Sequence, residues 1–430
     1  MGSMVVPSML DANLNGKVVL VRMDHNVVKN GKIKDTMRID ATIPTLIHIY
    51  KKGGLPVLMT HVGRPYDKKT GIVTISEKEA VEPIVRYLEY KLRLHGIIPE
   101  YNGLEGKGIV DLDSFHPAID ELRKGNCDLV YLPNTRWMAG EESKEADAEH
   151  LAEQLSALGD VFINDAFGSW QAHVSTFHLA KKLPAYAGLL MLKEIEHLQT
   201  LFEPKRPLVS VVAGAKFDTK IGPLSALIRM SDHLILGGVL YNAYLCVKYG
   251  IRIKGIGADD LALAKEFMEK SGEHIHKIVE LPFVIESDSF DTVAEGSWRK
   301  RAIKDLTAGM ELNFVLDTDP ESFAEEQVRQ VFAGAGTIFI NAVMGYTVLF
   351  KEGTKAAYQL IDANAEALKL FGGGDTIQEF KDLLSDVFGK AVNNERYYFF
   401  TGGGAILDAI EKGSPYAMKP VQVLIENAGM

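Results

Sequence analysis

Pro207-Leu208-Val209-Ser210-Val211-Val212 runs directly into Ala213-Gly214-Ala215-Lys216-Phe217-Asp218-Thr219-Lys220-Ile221-Gly222, and a helical pattern begins near Pro223. The first six residues are apolar and β-branched, the composition of a buried strand. A glycine-containing turn that leaves a strand and enters a helix offers backbone N–H groups to an anion, and Lys216 and Lys220 add positive charge there. The stretch therefore reads as a phosphate site. Its spacing is not that of the common nucleotide loop, because G-x-x-x-x-G-K-[ST] occurs nowhere and the lysines precede the last glycine. The same residues also suit an ordinary strand-to-helix connection with solvated lysines, and alone they do not separate the two readings.

Outward from this point the chain alternates apolar runs with helical patterns. Lys17–Arg22, Leu55–Met59, Leu129–Leu132 and Val161–Ile163 read as strands, with helical periods at Arg38–Tyr50 and Ser76–Leu94 between them. A second series of strand-like runs follows at Pro207–Val212, His233–Leu236, Leu312–Leu316, Thr337–Ile340 and Tyr397–Phe400. This alternation predicts an α/β protein of two doubly wound parallel-sheet lobes. The segment Lys182–Gly188 marks the candidate boundary, and the helical spacing of Leu189–Leu198 predicts a helix that either connects the lobes or belongs to one of them.

With 430 residues, 47% of them hydrophobic, the chain is long enough for two or more cores. No apolar run reaches the ~18 residues of a membrane span, and no basic-then-apolar signal pattern opens the sequence. The net charge of −10 argues against nucleic-acid and membrane partners, but leaves room for a local basic cleft. Two distant cysteines, Cys127 and Cys246, fit neither a disulfide framework nor a zinc site, so a cytoplasmic protein is expected.

In such sheets ligands bind beyond the carboxyl ends of the strands. The strand ends here read Arg22-Met23-Asp24-His25-Asn26, Thr60-His61-Val62-Gly63-Arg64-Pro65, Pro133-Asn134-Thr135-Arg136 and Asn164-Asp165-Ala166-Phe167-Gly168, with Arg38 opening the first helix. Several guanidinium groups in one place suit an acidic, phosphorylated ligand, since arginine grips carboxylate and phosphate with two parallel bonds. Individually each arginine also fits a surface ion pair, and His61, His173 and Asp24 fit structural hydrogen bonding. Neither H-E-x-x-H nor G-x-S-x-G occurs, which removes two hydrolase classes.

The second half carries Phe371-Gly372-Gly373-Gly374-Asp375-Thr376 ahead of the helical pattern Ile377–Phe388, and Thr401-Gly402-Gly403-Gly404-Ala405 ahead of Ile406–Lys412. Glycine lets a phosphate approach the backbone, and the following helix start supplies unpaired N–H groups. Asp375 suits magnesium, whose shell a nucleotide's phosphates complete. Two such turns beside two lysines make a nucleoside triphosphate the leading ligand.

Taken in order along residues 16–425, these motifs together with Gly237-Gly238, Asn341, Met344-Gly345 and Gly353-Thr354-Lys355 resemble the phosphoglycerate kinase family. The resemblance implies an N-terminal lobe over 4–187, completed by the tail 415–430, that takes 3-phosphoglycerate. It implies a C-terminal lobe over 188–414, including the connecting helix, that takes magnesium ATP or ADP. Asp24, Asn26, Arg38, His61, Arg64 and Arg136 would surround the acceptor acid, and Gln171 is counted with these substrate-binding residues. Gly214, Lys216, Lys220, Gly237, Gly238, Asn341, Gly372, Gly373, Gly374, Asp375 and Thr376 would bind the nucleotide, and Asp375 its Mg²⁺. Arg38, Lys216 and the backbones of Gly374 and Gly404 would carry catalysis. A cytoplasmic monomer that closes its lobes around small-molecule substrates is the implied working form.

The chain also departs from the family pattern. Where the family places another substrate arginine after Asp-Ala-Phe-Gly, this sequence has Ser169-Trp170-Gln171-Ala172-His173. Where it places a ribose-binding glutamate, the run is Tyr346-Thr347-Val348-Leu349-Phe350, and His25 replaces an aromatic residue. A kinase for a different carboxylic acid and a non-catalytic nucleotide-binding protein are the two alternatives these departures leave.

Overall fold

The structure, a computed structural model, describes residues 5–143, 146–215 and 220–428. The chain divides into two units, Met1–Glu196 with Tyr416–Met430, and His197–Pro415.

In the first unit six strands form one parallel sheet: β1 (Val18–Met23), β2 (Leu55–Met59), β3 (Gly96–Ile97), β4 (Leu129–Tyr131), β5 (Val161–Asp165) and β6 (Ala185–Ala187), in the order β6-β5-β1-β2-β4-β3. Every residue of β1, β4 and β5 is buried, as strands covered on both faces require. Helix α1 (Met37–Lys51) buries Ile39, Leu46 and Ile49, one helical face, in the core that holds Val19, Val21 and Met23 of β1. Each such aliphatic side chain contributes roughly 1.5–3 kcal/mol by leaving water. The same burial anchors Arg38, one residue before Ile39. The helix Lys419–Glu426 near the chain's end also packs in this unit, where the Asn427 side-chain amide donates to the Ala180 carbonyl.

Helix α2 (Leu189–Phe202) is continuous across the division between the units. Its start is held by Asp165 at the end of β5, whose Oδ1 accepts the Met191 N–H at 3.1 Å. Burial raises the Asp165 pKa to about 6 against these hydrogen bonds. Asp165, read from sequence among the ligand-facing strand ends, thus works as a helix anchor.

The second unit contains β7 (Leu208–Gly214), β8 (His233–Gly237), β9 (Phe283–Ser287), β10 (Trp298–Ala302), β11 (Phe314–Thr318), β12 (Thr337–Asn341), β13 (Leu368–Phe371) and β14 (Tyr397–Phe399). Five of them make a parallel sheet ordered β8-β7-β12-β13-β14, and three an antiparallel sheet ordered β10-β9-β11. The architecture is the expected pair of parallel α/β sheets, with differences in detail. The run at Leu312–Leu316 contributes to the antiparallel sheet, not the parallel one. Strand β13 escapes the sequence pattern because Lys369 interrupts its four residues. That lysine is nevertheless buried, its Nζ donating to the Ala367 carbonyl at 3.1 Å and lying 4.7 Å from the Tyr397 ring. Finally, the pattern Ile377–Phe388 is two helices, Gly374–Leu383 and Ser385–Ala391, broken where Leu384 leaves helical geometry at φ −133°.

The antiparallel register places Glu286 opposite Arg299, with Arg301 two residues farther on the same face. Glu286 is buried and accepts two bonds from Arg299 at 2.8 and 2.9 Å, one from Arg301 at 2.5 Å and the Asn313 N–H at 2.8 Å. Burial alone would raise its pKa, but Arg299, the Asn313 amide and Arg301 together hold it at about 2. A carboxylate depressed on folding stabilises fully above its unfolded pKa of about 4.5 and loses that contribution as pH falls toward 2. Glu286→Gln should therefore lower Tm at pH 7 and flatten the decline of Tm between pH 4.5 and pH 2, measured by thermal melts across that range.

Candidate functional site

At the carboxyl ends of β1, β2, β4 and β5, asparagine side chains tie the loops together. Asn134 accepts the Val62 N–H at 3.0 Å and the Arg136 N–H at 3.1 Å, and donates to the Val62 carbonyl at 2.8 Å. Asn26 accepts the Gly63 N–H at 3.0 Å. These bonds satisfy loop backbone that the sheet ladder no longer reaches, and they fix where the adjacent cations stand.

Asp24, buried, pairs with the partly exposed Arg38 at 3.5 Å. Arg136 pairs with Glu142 at 2.6 Å and donates to the Gly63 carbonyl at 2.5 Å. Arg64 is exposed and lines a cavity of about 480 Å³ with Lys29, Lys78, Asp67 and Glu79. His61 lies among Arg22, Arg136, His173 and Arg38; burial first, then those charges, push its pKa well below the usual histidine value. Gln171 is exposed, and its carbonyl accepts the Thr176 hydroxyl at 2.7 Å. Asp24, Asn26, Arg38, His61, Arg64 and Arg136 are all borne on the strand ends of this unit or on α1.

Two residues of the first strand end, Arg22 and His25, owe their roles to partners far along the chain. Arg22, inside an apolar run, is wholly buried: its Nε donates to Ser175 Oγ at 2.8 Å, its Nη1 to the Met23 carbonyl, and its Nη2 to His61 Nδ1 at 2.8 Å. An arginine within an otherwise apolar strand was the available signal. His25, also wholly buried, contacts Tyr131 Oη at 2.9 Å and Thr42 Oγ1 at 2.8 Å, so it links β1 and β4 to α1 four residues beyond Arg38. Desolvation and Arg22 lower its pKa to about 3, which keeps it neutral.

In the second unit the loops converge where the sheet order reverses, between β7 and β12. Lys220 Nζ donates to the Ala213 carbonyl at 2.8 Å and to Asn341 Oδ1, and Asn341 donates to the Gly372 carbonyl at 2.8 Å. Helices α3 (Ile221–Met230), α4 (Gly238–Tyr249), α5 (Gly374–Leu383) and α6 (Gly403–Lys412) start beside these strand ends. Gly374 and Gly404 occupy first turns of α5 and α6, and both are exposed. The two glycine triplets meet backbone to backbone: a Cβ on Gly403 would lie 2.6 Å from Gly373 Cα, and Gly373 itself has φ +103°. Only glycine permits both features. Gly214 bridges to Gly238, and a narrow cleft opens between Gly238, Leu316 and Met344.

Desolvation lowers the Lys220 pKa to about 8, partly offset by Asp375. Asp375 is exposed in the first turn of α5, while Thr376 is buried. Among the described residues no group of three or more potential ligands could hold a metal by itself. The exposed Asp375 carboxylate beside a glycine-rich helix start fits a magnesium ion whose other ligands are phosphate oxygens and water. Lys216 lies outside the described residues. The segment without the ribose glutamate stacks Tyr346 on Phe290 with ring centroids 4.6 Å apart, and Thr347 donates to Glu379 at 2.7 Å.

The family profile described as phosphoglycerate kinase matches residues 9–413. This chain belongs to that family. The phosphoglycerate kinase of Roseiflexus sp. (strain RS-1) is 32% identical over 407 residues, covering 93% of this chain and 95% of that protein. That of Chlamydia trachomatis serovar D (strain ATCC VR-885 / DSM 19411 / UW-3/Cx) is 33% identical over 421 residues, covering 95% and 96%. The solved phosphoglycerate kinase of Coxiella burnetii superposes with a TM-score of 0.77 at 28% identity, covering 99% of this chain and all of that one. The Pyrococcus horikoshii OT3 family structure, 22% identical with a TM-score of 0.76 and covering 98% of this chain and 99% of its own, shows the same fold.

Proposed function

We propose that this chain transfers the γ-phosphoryl group of ATP reversibly to the carboxylate of 3-phosphoglycerate, giving 1,3-bisphosphoglycerate and ADP. One observation carries the reading: a chain of this family keeps a guanidinium cluster on one parallel sheet and a glycine–lysine cradle on the other, each at the carboxyl ends. The first unit then takes the acceptor through Asp24, Asn26, Arg38, His61, Arg64 and Arg136. The second takes the nucleotide through Gly214, Lys216, Lys220, Gly237, Gly238, Asn341, Gly372, Gly373, Gly374, Asp375 and Thr376.

The acceptor carboxylate is already ionised near pH 7, so the reaction needs no general base. What it needs is positioning and charge neutralisation. Arg38 neutralises and orients the attacking carboxylate, while Asp24 restrains the guanidinium. Lys216 and Lys220 accompany the phosphates, and the backbone N–H groups of Gly374 and Gly404 receive charge that builds on the transferring group. Asp375 would hold Mg²⁺, which when bound supplies charge neutralisation at the phosphate oxygens. Because separate units hold the two ligands, hinge bending that brings them into line is part of the proposal. The buried free thiols of Cys127 and Cys246 support a reducing, cytoplasmic setting, and we read the enzyme as a monomer. No described helix is long and apolar enough to cross a membrane.

The test is a coupled assay for ADP formed from ATP and 3-phosphoglycerate; ATP binding without turnover would refute the reading. The exposed Gln171 side chain can donate a hydrogen bond but brings no charge, so acceptor affinity should be weak. Gln171→Arg should lower KM for 3-phosphoglycerate about 5–10-fold with a smaller change in KM for ATP, since charge-assisted bonds to phosphate are roughly twice as strong as neutral ones.

A further inference from the structure

We propose that Arg22 is a positioning residue which locks His61 as a neutral imidazole and so commits its Nε2–H to the anionic acceptor. The inference rests on assigning this cluster to the acceptor.

The argument begins with donors and lone pairs. A guanidinium carries five N–H groups and no acceptor, so the 2.8 Å contact between Arg22 Nη2 and His61 Nδ1 has one possible polarity. Nδ1 accepts. A neutral ring with a bare Nδ1 bears its proton on Nε2, on the far edge of the ring from Arg22. His61 is not among the fully buried residues, whereas Arg22 is wholly buried and cannot reach a ligand itself.

Arg22 is held in turn. Its Nε donates to Ser175 Oγ at 2.8 Å, the Ser175 hydroxyl donates to Glu141 Oε1 at 2.5 Å, and the Ser175 backbone N–H donates to Glu141 Oε2 at 2.9 Å. Glu141 is buried and supplies the compensating negative charge. Arg22 Nη2 also donates to Ser169 Oγ at 3.4 Å, which reaches the segment that carries Gln171. The guanidinium therefore joins β1, the His61 loop and the 169–175 loop.

Protonating His61 would set an Nδ1–H against the Arg22 N–H and add a cation beside Arg22, Arg38 and Arg136, with His173 also near. Among the groups facing this cluster, Asp24 and Glu141 are the carboxylates near Arg22, and both already serve cations. The cluster's positive charge thus comes from guanidinium groups, which stay charged at every physiological pH, and His61 contributes direction instead of charge.

Ring ¹⁵N NMR of the full chain, labelled at histidine, tests this. His61 should show one unprotonated and one protonated nitrogen, unchanged from pH 8 to pH 5. A titration with a midpoint near the ordinary value of about 6.5 would overturn the proposal. This measurement needs no variant to fold and no turnover, so it stands apart from the acceptor assignment; an inactive enzyme with a locked tautomer would refute only the latter. The role of Arg22 is read in Arg22→Met combined with Glu141→Gln, which removes the buried charges together: His61 should then titrate above pH 5, and an unchanged spectrum would overturn the positioning role. Kinetically, His61→Gln can still accept from Arg22 and donate outward, whereas His61→Lys supplies charge alone. KM for 3-phosphoglycerate should be at least about tenfold lower in the Gln variant than in the Lys variant; the reverse order would overturn the proposal.

Discussion

Arg38→Ala should lower kcat/KM for 3-phosphoglycerate by about 10²–10³-fold, ~3–4 kcal/mol of transition-state stabilisation, while leaving the Kd for ATP unchanged. The size follows from the environment. Arg38 stands at the first turn of α1, about a third exposed, and its partner Asp24 is almost completely buried. Removing the guanidinium takes away the cation assigned to the reacting carboxylate and leaves Asp24 without that ion pair, so Tm should fall as well. Steady-state kinetics with both substrates varied, beside calorimetric titration of ATP, separate these effects. An unchanged kcat/KM would remove Arg38 from the machinery. Arg38→Lys should recover only part of the loss, because a point charge does not reproduce a two-pronged grip on a carboxylate.

The second large effect belongs to Lys220. Its ammonium sits on the Ala213 carbonyl and Asn341 Oδ1, and burial lowers its pKa to about 8. In the free protein a lysine depressed in this way loses its charge as pH rises through about 8, where phosphate groups are already fully ionised. ATP affinity should therefore decline between pH 7.5 and pH 9.5, with the ligand's own charge constant over that range. Lys220→Met should weaken ATP binding about 10–100-fold at pH 7.5 and abolish most of that pH dependence. The linkage also has a stability sign. The unfolded chain holds the proton up to about 10.5, so the cost of burying the charge is present below pH 8 and fades as pH rises from 8 to 10.5. Binding isotherms at several pH values check the first claim, and melts of the free protein check the second.

The fold was readable because it depends on local pattern. β-branched runs such as Val18–Met23 and Leu208–Gly214 carry no polar alternation, and α1 repeats its apolar residues at helical spacing. Burial on both faces of a parallel sheet imposes that composition directly. Strand β13 and the antiparallel hairpin resisted the same reading. The first contains a lysine whose burial depends on a carbonyl and a ring supplied from elsewhere, and the second contains charges that are tolerable only when paired across strands.

The candidate site divides the same way. Glycine triplets, Lys220 and the strand-end arginines announce themselves because their chemistry is local: a flexible backbone, a charge, a fork of donors. What each does with its neighbours is not local. That Gly403 presses on Gly373, that Lys220 reaches Asn341 and that His61 receives an Arg22 N–H involve residues 30 or more positions apart. The sequence by itself determined two parallel α/β sheets, with arginines at the strand ends of one and glycine turns with a lysine at those of the other. Only the tertiary structure decided which cations are free and which are buried and paired, because hydrogen-bond polarity and desolvation are properties of contacts between distant segments.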